Sequence, residues 1–85
     1  MFRIEFSSRA EKEIKKLKMY KEKLLEALKI LSIDPIPIRF YDVKKLKGLE
    51  NAFRIRIGKI RMVYVIDWKN KVIIIAKVGF RERVY

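Results

Sequence analysis

The sequence predicts an α+β fold: an N-terminal strand, two helices, then an antiparallel β meander with the helices packed on one face. Three observations carry that expectation. Apolar and charged residues alternate at the N-terminus, apolar residues recur at helical spacing between positions 10 and 31, and β-branched runs separated by short polar turns follow Pro37. With 85 residues there is room for one core, so residues 1–85 are expected to form a single domain.

Phe2, Ile4 and Phe6 alternate with Arg3 and Glu5, the period of a half-buried strand. Ser8-Arg9-Ala10-Glu11 has the form of a capping box, in which the serine hydroxyl accepts from a free backbone N–H and the glutamate reaches back three residues. A helix is expected to start there. Ala10, Ile14 and Leu17 share one face of it, and after a break at Lys18 to Tyr20 the set Leu24, Leu25, Leu28 and Leu31 continues in a second helix. Asp34-Pro35-Ile36-Pro37 ends that helix by about Ile33, because each proline lacks a donor and pushes the preceding residue out of the α region. Four strands are expected beyond it: Tyr41 to Leu46, Phe53 to Ile57, Ile60 to Ile66 and Lys71 to Val78. Lys47-Gly48, Gly58-Lys59 and Asp67-Trp68-Lys69-Asn70 supply the turns, and such short connections favour antiparallel pairing.

Composition narrows the function. Half the residues are hydrophobic (51%) and 38% are charged, as in a folded globular protein. The balance is strongly basic: 22 Lys and Arg against 10 Asp and Glu give +12, so a polyanionic partner is expected, nucleic acid first. The charge is uneven, because residues 1–43 carry 10 basic and 7 acidic side chains whereas residues 44–85 carry 12 and 3. In the first half the signs interleave along helix faces and read as a solvated, salt-bridged surface. The chain has no Cys and no His, which removes zinc fingers, disulfide frameworks, a cysteine nucleophile and an imidazole base. Neither metal nor other cofactor is expected. The longest apolar run, Val72 to Ala76, is too short to span a bilayer and the N-terminus lacks a signal-peptide core, so a cytoplasmic protein without a membrane partner is expected.

The strand from Phe53 to Ile57 sends Phe53, Ile55 and Ile57 to one face and Arg54 and Arg56 to the other, which is expected to be the wet one. Hairpin pairing across Gly58-Lys59 would bring Arg61 near them, and Arg81 and Arg83 follow the last strand. Arginine forks suit phosphate oxygens, although arginines on a basic sheet also simply keep it soluble; five near one sheet end favour the first use. Glu82 between Arg81 and Arg83 reads as an internal ion pair, and Tyr85 as a base-stacking or proton-donating side chain or a frayed terminus. Phe2, Phe6, Phe40, Phe53 and Tyr64 read as core, whereas Trp68 and Phe80 are expected to be exposed.

Lys45-Leu46-Lys47-Gly48, Arg54-Ile55-Arg56, Ile60-Arg61-Met62-Val63-Tyr64 and Val78-Gly79-Phe80-Arg81-Glu82-Arg83, with the terminal Val84-Tyr85, resemble in order and spacing the RelE branch of the RelE/ParE toxin superfamily. The resemblance implies a RelE-like fold and a ribosome-dependent mRNA endonuclease. Such an enzyme cleaves mRNA in the ribosomal A site by attack of a 2′-OH on the adjacent phosphodiester, without a metal. It also implies a RelB-type antitoxin, bound as a heterodimer or heterotetramer, with ribosome and mRNA as the other partners. Arg54 and Arg56 match the family's paired basic strand residues, Arg61 its strand arginine, Arg81 its tail arginine and Tyr85 its C-terminal tyrosine. Lys45, Lys47 and Arg83 are carried over as RNA-binding positions. Two departures stand out. The paired strand residues are lysines in the best-known members, and two residues between the tail arginines and the tyrosine are missing here. Arginine does not deprotonate near pH 7, so these side chains can stabilise charge on phosphorus but cannot serve as a base. Two other functions fit the same face: a ParE-like gyrase inhibitor acting by protein binding, and a non-catalytic module that grips RNA or the ribosome.

Overall fold

The computed structural model describes residues 1–80. Its elements are β1 (Arg3–Phe6), α1 (Ser8–Lys15), α2 (Lys21–Ile33), β2 (Asp42–Lys45), β3 (Ala52–Ile57), β4 (Ile60–Asp67) and β5 (Val72–Phe80), with a 3-10 turn at Lys18–Tyr20 where the sequence breaks the helical period. The strands form one sheet in the order β1-β5-β4-β3-β2. Each neighbour in the run β2 to β5 pairs antiparallel, as the short turns require, while β1 joins β5 in parallel, Arg3 opposite Val72 and Phe6 opposite Ile75. A parallel partner is out of reach of a tight turn, and here both helices and most of the meander lie between the two strands. The α+β expectation holds, with a mixed rather than wholly antiparallel sheet.

Alternation along the strands builds the core. Ile55, Ile57, Ile60, Met62, Tyr64, Ile66, Ile73, Ile75 and Val78 face the helices and bury against Ala10, Leu17, Leu24, Ala27 and Leu31. Leu17 is buried although it lies past the end of α1. Tyr64 is the largest fully buried side chain; it stacks on Phe53 and donates its hydroxyl to the Pro35 carbonyl at 2.7 Å. That bond ties the segment after α2 to the middle of the sheet.

Four expectations need correction. The cap of α1 is Ser7, not Ser8: the Ser7 hydroxyl accepts from the Ala10 N–H at 3.0 Å and donates to the Ala76 carbonyl at 2.9 Å. Ala76 is the extra residue of a bulge, since Tyr64 pairs with Ile75 but Val63 with Lys77, and Ser7 satisfies its displaced carbonyl. Phe40 is not core. It is 63% exposed, because the turn in which the N–H groups of Phe40 and Tyr41 both donate to the Pro37 carbonyl holds it off the sheet. Phe80 is half-buried rather than exposed, as it ends β5 and meets Tyr20 edge-on with ring centroids 5.7 Å apart. Arg54 and Arg61, placed by the sequence on a wet face, are buried. No helix among the described residues is long and apolar enough to cross a membrane.

Candidate nucleic-acid interface

The face of the sheet turned away from the helices carries the candidate site. Gly58, at φ +60, makes the tight turn between β3 and β4 that fixes Ile57 opposite Ile60. One residue further from the turn, on the outer face, Arg56 and Arg61 are directly opposed, and two residues beyond them Arg54 faces Val63. On the flanking strands Asp42 lies opposite Arg56 and Lys44 opposite Arg54, while Gly79 faces Arg61 and Lys77 faces Val63. Two rows therefore cross the sheet on one face. One reads Asp42, Arg56, Arg61, Gly79 and the other Lys44, Arg54, Val63, Lys77.

Arg54 and Arg61 are only 4% and 8% exposed. Interior strands bury the stems of long side chains between their neighbours, and a guanidinium, weakly hydrated and permanently charged, tolerates this better than an ammonium. Asp42 provides the counter-charge. Its Oδ2 lies 3.2 Å from Arg54 Nη1 and 3.7 Å from Arg56 Nη1, and Arg54 Nη1 also reaches the Asp42 carbonyl at 3.5 Å. The hydrogen bond from Arg54 holds the Asp42 carboxyl below the usual aspartate range, helped by the charges of Arg54, Lys44 and Arg56 and opposed by desolvation. Arg54 Nε is buried with no acceptor among the described residues. The Arg56 side chain is 36% exposed and the Asp42 side chain 42%, so the outer side of the cluster is open to a ligand.

Of the residues singled out in the sequence, the structure brings Arg54, Arg56 and Arg61 together. Lys45 is opposite Phe53 and so belongs to the helix-facing register of β2, and Lys47 lies in the turn beyond that strand. Both are exposed, away from the two arginine rows. Arg81, Arg83 and Tyr85 lie outside the described residues. Asp42, Lys44 and Lys77 were missed. The signal for Lys44 and Asp42 was the period of two counted back along β2 from the Lys47-Gly48 turn, but it becomes readable only once the register with β3 is known. Among the described residues no three His, Cys, Asp or Glu side chains gather as metal ligands would.

The chain is short and basic, and its arginines stand in rows on the sheet face turned away from the helices. Residues 4–85 match the family model for the ParE toxin of type II toxin-antitoxin systems, parDE. The chain is 42% identical, over 99% of its length and 94% of the relative's, to a Methanocaldococcus jannaschii protein named "Putative toxin RelE1". Its fold is similar to the toxin fold in the archaeal RelE-RelB complex from Pyrococcus horikoshii (TM-score 0.84, 34% identity, 98% of each chain). It is similar also to that in the intact Escherichia coli RelBE toxin-antitoxin complex (TM-score 0.81, 27% identity, covering 98% of this chain and 100% of that one). The protein belongs to the RelE/ParE family of toxins of type II toxin-antitoxin systems.

Proposed function

We propose that the protein, residues 1–85 acting as one toxin domain, is a ribosome-dependent mRNA endonuclease that cleaves the message in the A site and arrests translation in the cytoplasm. The observation that carries this reading is the pairing of Arg56 with Arg61 across the β3 and β4 hairpin, with Arg54 on the same face. In the reaction the 2′-hydroxyl gives up its proton to solvent as its oxygen bonds to phosphorus, and the bond to the 5′-oxygen of the next nucleotide breaks with that oxygen taking a proton from solvent, leaving a 2′,3′-cyclic phosphate and a 5′-hydroxyl. Negative charge accumulates on the non-bridging oxygens on the way. Fixed guanidiniums aimed at those oxygens stabilise that charge without a proton transfer of their own. The mRNA orientation comes from the ribosome, and Arg81, with Tyr85, completes the site as the family resemblance implies. A RelB-type antitoxin, the partner of the P. horikoshii and E. coli relatives, neutralises the toxin in a heterodimer or heterotetramer.

Primer extension on a translated message tests this. The purified protein is expected to produce A-site cuts, and Arg56→Ala or Arg81→Ala to lower the cleavage rate about a hundredfold each with the fold intact. Unchanged cleavage by both variants overturns the assignment. The ParE description of the matching family favours a second reading, inhibition of DNA gyrase by protein contact. Loss of supercoiling in a gyrase assay, with no RNA cut, would select it.

A further inference from the structure

We propose that the place between Arg54 and Arg56 is an anion seat held in the free protein by the Asp42 carboxylate, and that a phosphodiester of single-stranded RNA enters by displacing it. This rests on the RNA-cleaving function proposed above and adds a residue and an order of events to it.

The geometry shows a carboxylate acting as a stand-in. One oxygen, Asp42 Oδ2, is shared between two guanidiniums at 3.2 and 3.7 Å. Both distances are longer than the ~2.7–2.9 Å of a strong charge-assisted bond, so neither fork is saturated. A second observation points the same way. Arg54 is buried, yet its Nε has no acceptor among the described residues, leaving a desolvated donor that one carboxylate oxygen does not serve. Asp42 engages both guanidiniums through Oδ2 alone, whereas the two non-bridging oxygens of a phosphodiester can take Arg54 and Arg56 one each. Asp42 is also free to leave. It begins β2, an outer strand of only four residues, and its carboxylate has no other partner among the described residues. The lowered proton affinity of this carboxyl makes it a poor base but a durable counter-ion. The consequence is selectivity. RNA that meets the protein by chance must compete with a tethered anion, whereas RNA held in place by the ribosome displaces it at high effective concentration.

The test is binding of a short, uncleavable 2′-O-methyl RNA, measured by fluorescence anisotropy over a range of salt concentrations. Asp42→Asn keeps the side-chain shape and removes the charge. It is expected to bind about five- to tenfold more tightly than the wild type at low salt, with a salt slope steeper by about 0.7, the increment for one more neutralised phosphate. The gain must vanish when Arg54→Ala is added, which separates emptying of this seat from a general rise in net charge. Equal or weaker binding by Asp42→Asn, or a gain that persists without Arg54, overturns the inference while the nuclease reading stands on its cleavage assay. If neither protein binds the oligonucleotide, the seat does not take RNA phosphate and the inference falls. A-site cleavage by the same preparation then shows whether the nuclease reading falls with it. Thermal melts of Asp42→Asn and Asp42→Ala control for folding, and concordant binding by the two variants excludes an effect peculiar to the introduced amide.

Discussion

The Tyr64 hydroxyl is a polar atom at the centre of an apolar core, and its 2.7 Å bond to the Pro35 carbonyl is what makes that position tolerable. Phenylalanine in its place would keep the stacking on Phe53 but leave the carbonyl without its partner. Tyr64→Phe is therefore expected to lower stability by about 1–2 kcal/mol in urea unfolding, at unchanged m-value. The same burial, with the charge of Asp34 adding to it, pushes the ionisation of Tyr64 well above the ordinary tyrosine value of 10.0. Because the folded state holds this proton more tightly than the unfolded chain, the contribution is complete below pH 10 and is lost progressively as pH rises from there toward the folded value. Wild-type stability should fall over that alkaline window more steeply than that of Tyr64→Phe, which has no proton to lose there. Equal slopes for the two proteins would mean that Tyr64 is not shielded from water.

At the scale of elements, the decisive detail is how β5 is held after β1 stops pairing with it at Ile75. Beyond that point Ser7 takes the Ala76 carbonyl, and Glu13 on α1 accepts from the Val78 N–H at 2.9 Å while Arg9 donates to its other oxygen at 3.2 Å. A helix side chain thus replaces the missing strand, next to Gly79 opposite Arg61. Glu13→Ala should cost about 1–2 kcal/mol and speed hydrogen exchange at the Val78 amide, and Glu13→Gln, which keeps an acceptor, should cost much less. Equal losses in both variants would show that the Arg9 ion pair, not the amide bond, is what matters. These contacts also explain what the sequence could and could not disclose. The Gly58-Lys59 turn and the alternation on either side of it were enough to bring Arg61 near the paired arginines, while its exact register opposite Arg56 is set by the hairpin in the fold. The choice of Ser7 over Ser8 as cap was not legible, since two adjacent serines are equivalent until one of them finds a carbonyl on β5. The burial of Arg54 and the part played by Asp42 were hidden for the same reason. Both depend on a lateral neighbour contributed by β2, and strand period reports the face of a side chain, not what lies beside it.

For the whole molecule, the question is how much of the +12 charge an RNA strand meets. The helices carry interleaved signs, with Arg9 bonded to Glu13 across one turn, so much of their charge cancels locally. The two rows carry Lys44, Arg54, Arg56, Arg61 and Lys77 together with the carboxylate of Asp42, five positive charges and one negative among their described residues. Counter-ion release from a single strand scales as about 0.7 per phosphate neutralised, so binding through this face predicts a slope of log K against log salt near −3. Raising salt from about 50 to about 200 mM would then weaken binding about fiftyfold. If RNA instead condensed on the whole basic surface, all twelve net charges would count and the slope would approach about −8. A titration with short single-stranded RNA at several salt concentrations separates the two cases directly. A slope near −3 that becomes shallower by about 0.7 when Lys44→Ala or Lys77→Ala removes one cation from the second row would place the strand across the sheet. Insensitivity to both substitutions would place it elsewhere, and a slope near zero would remove phosphate contacts from the account of this face.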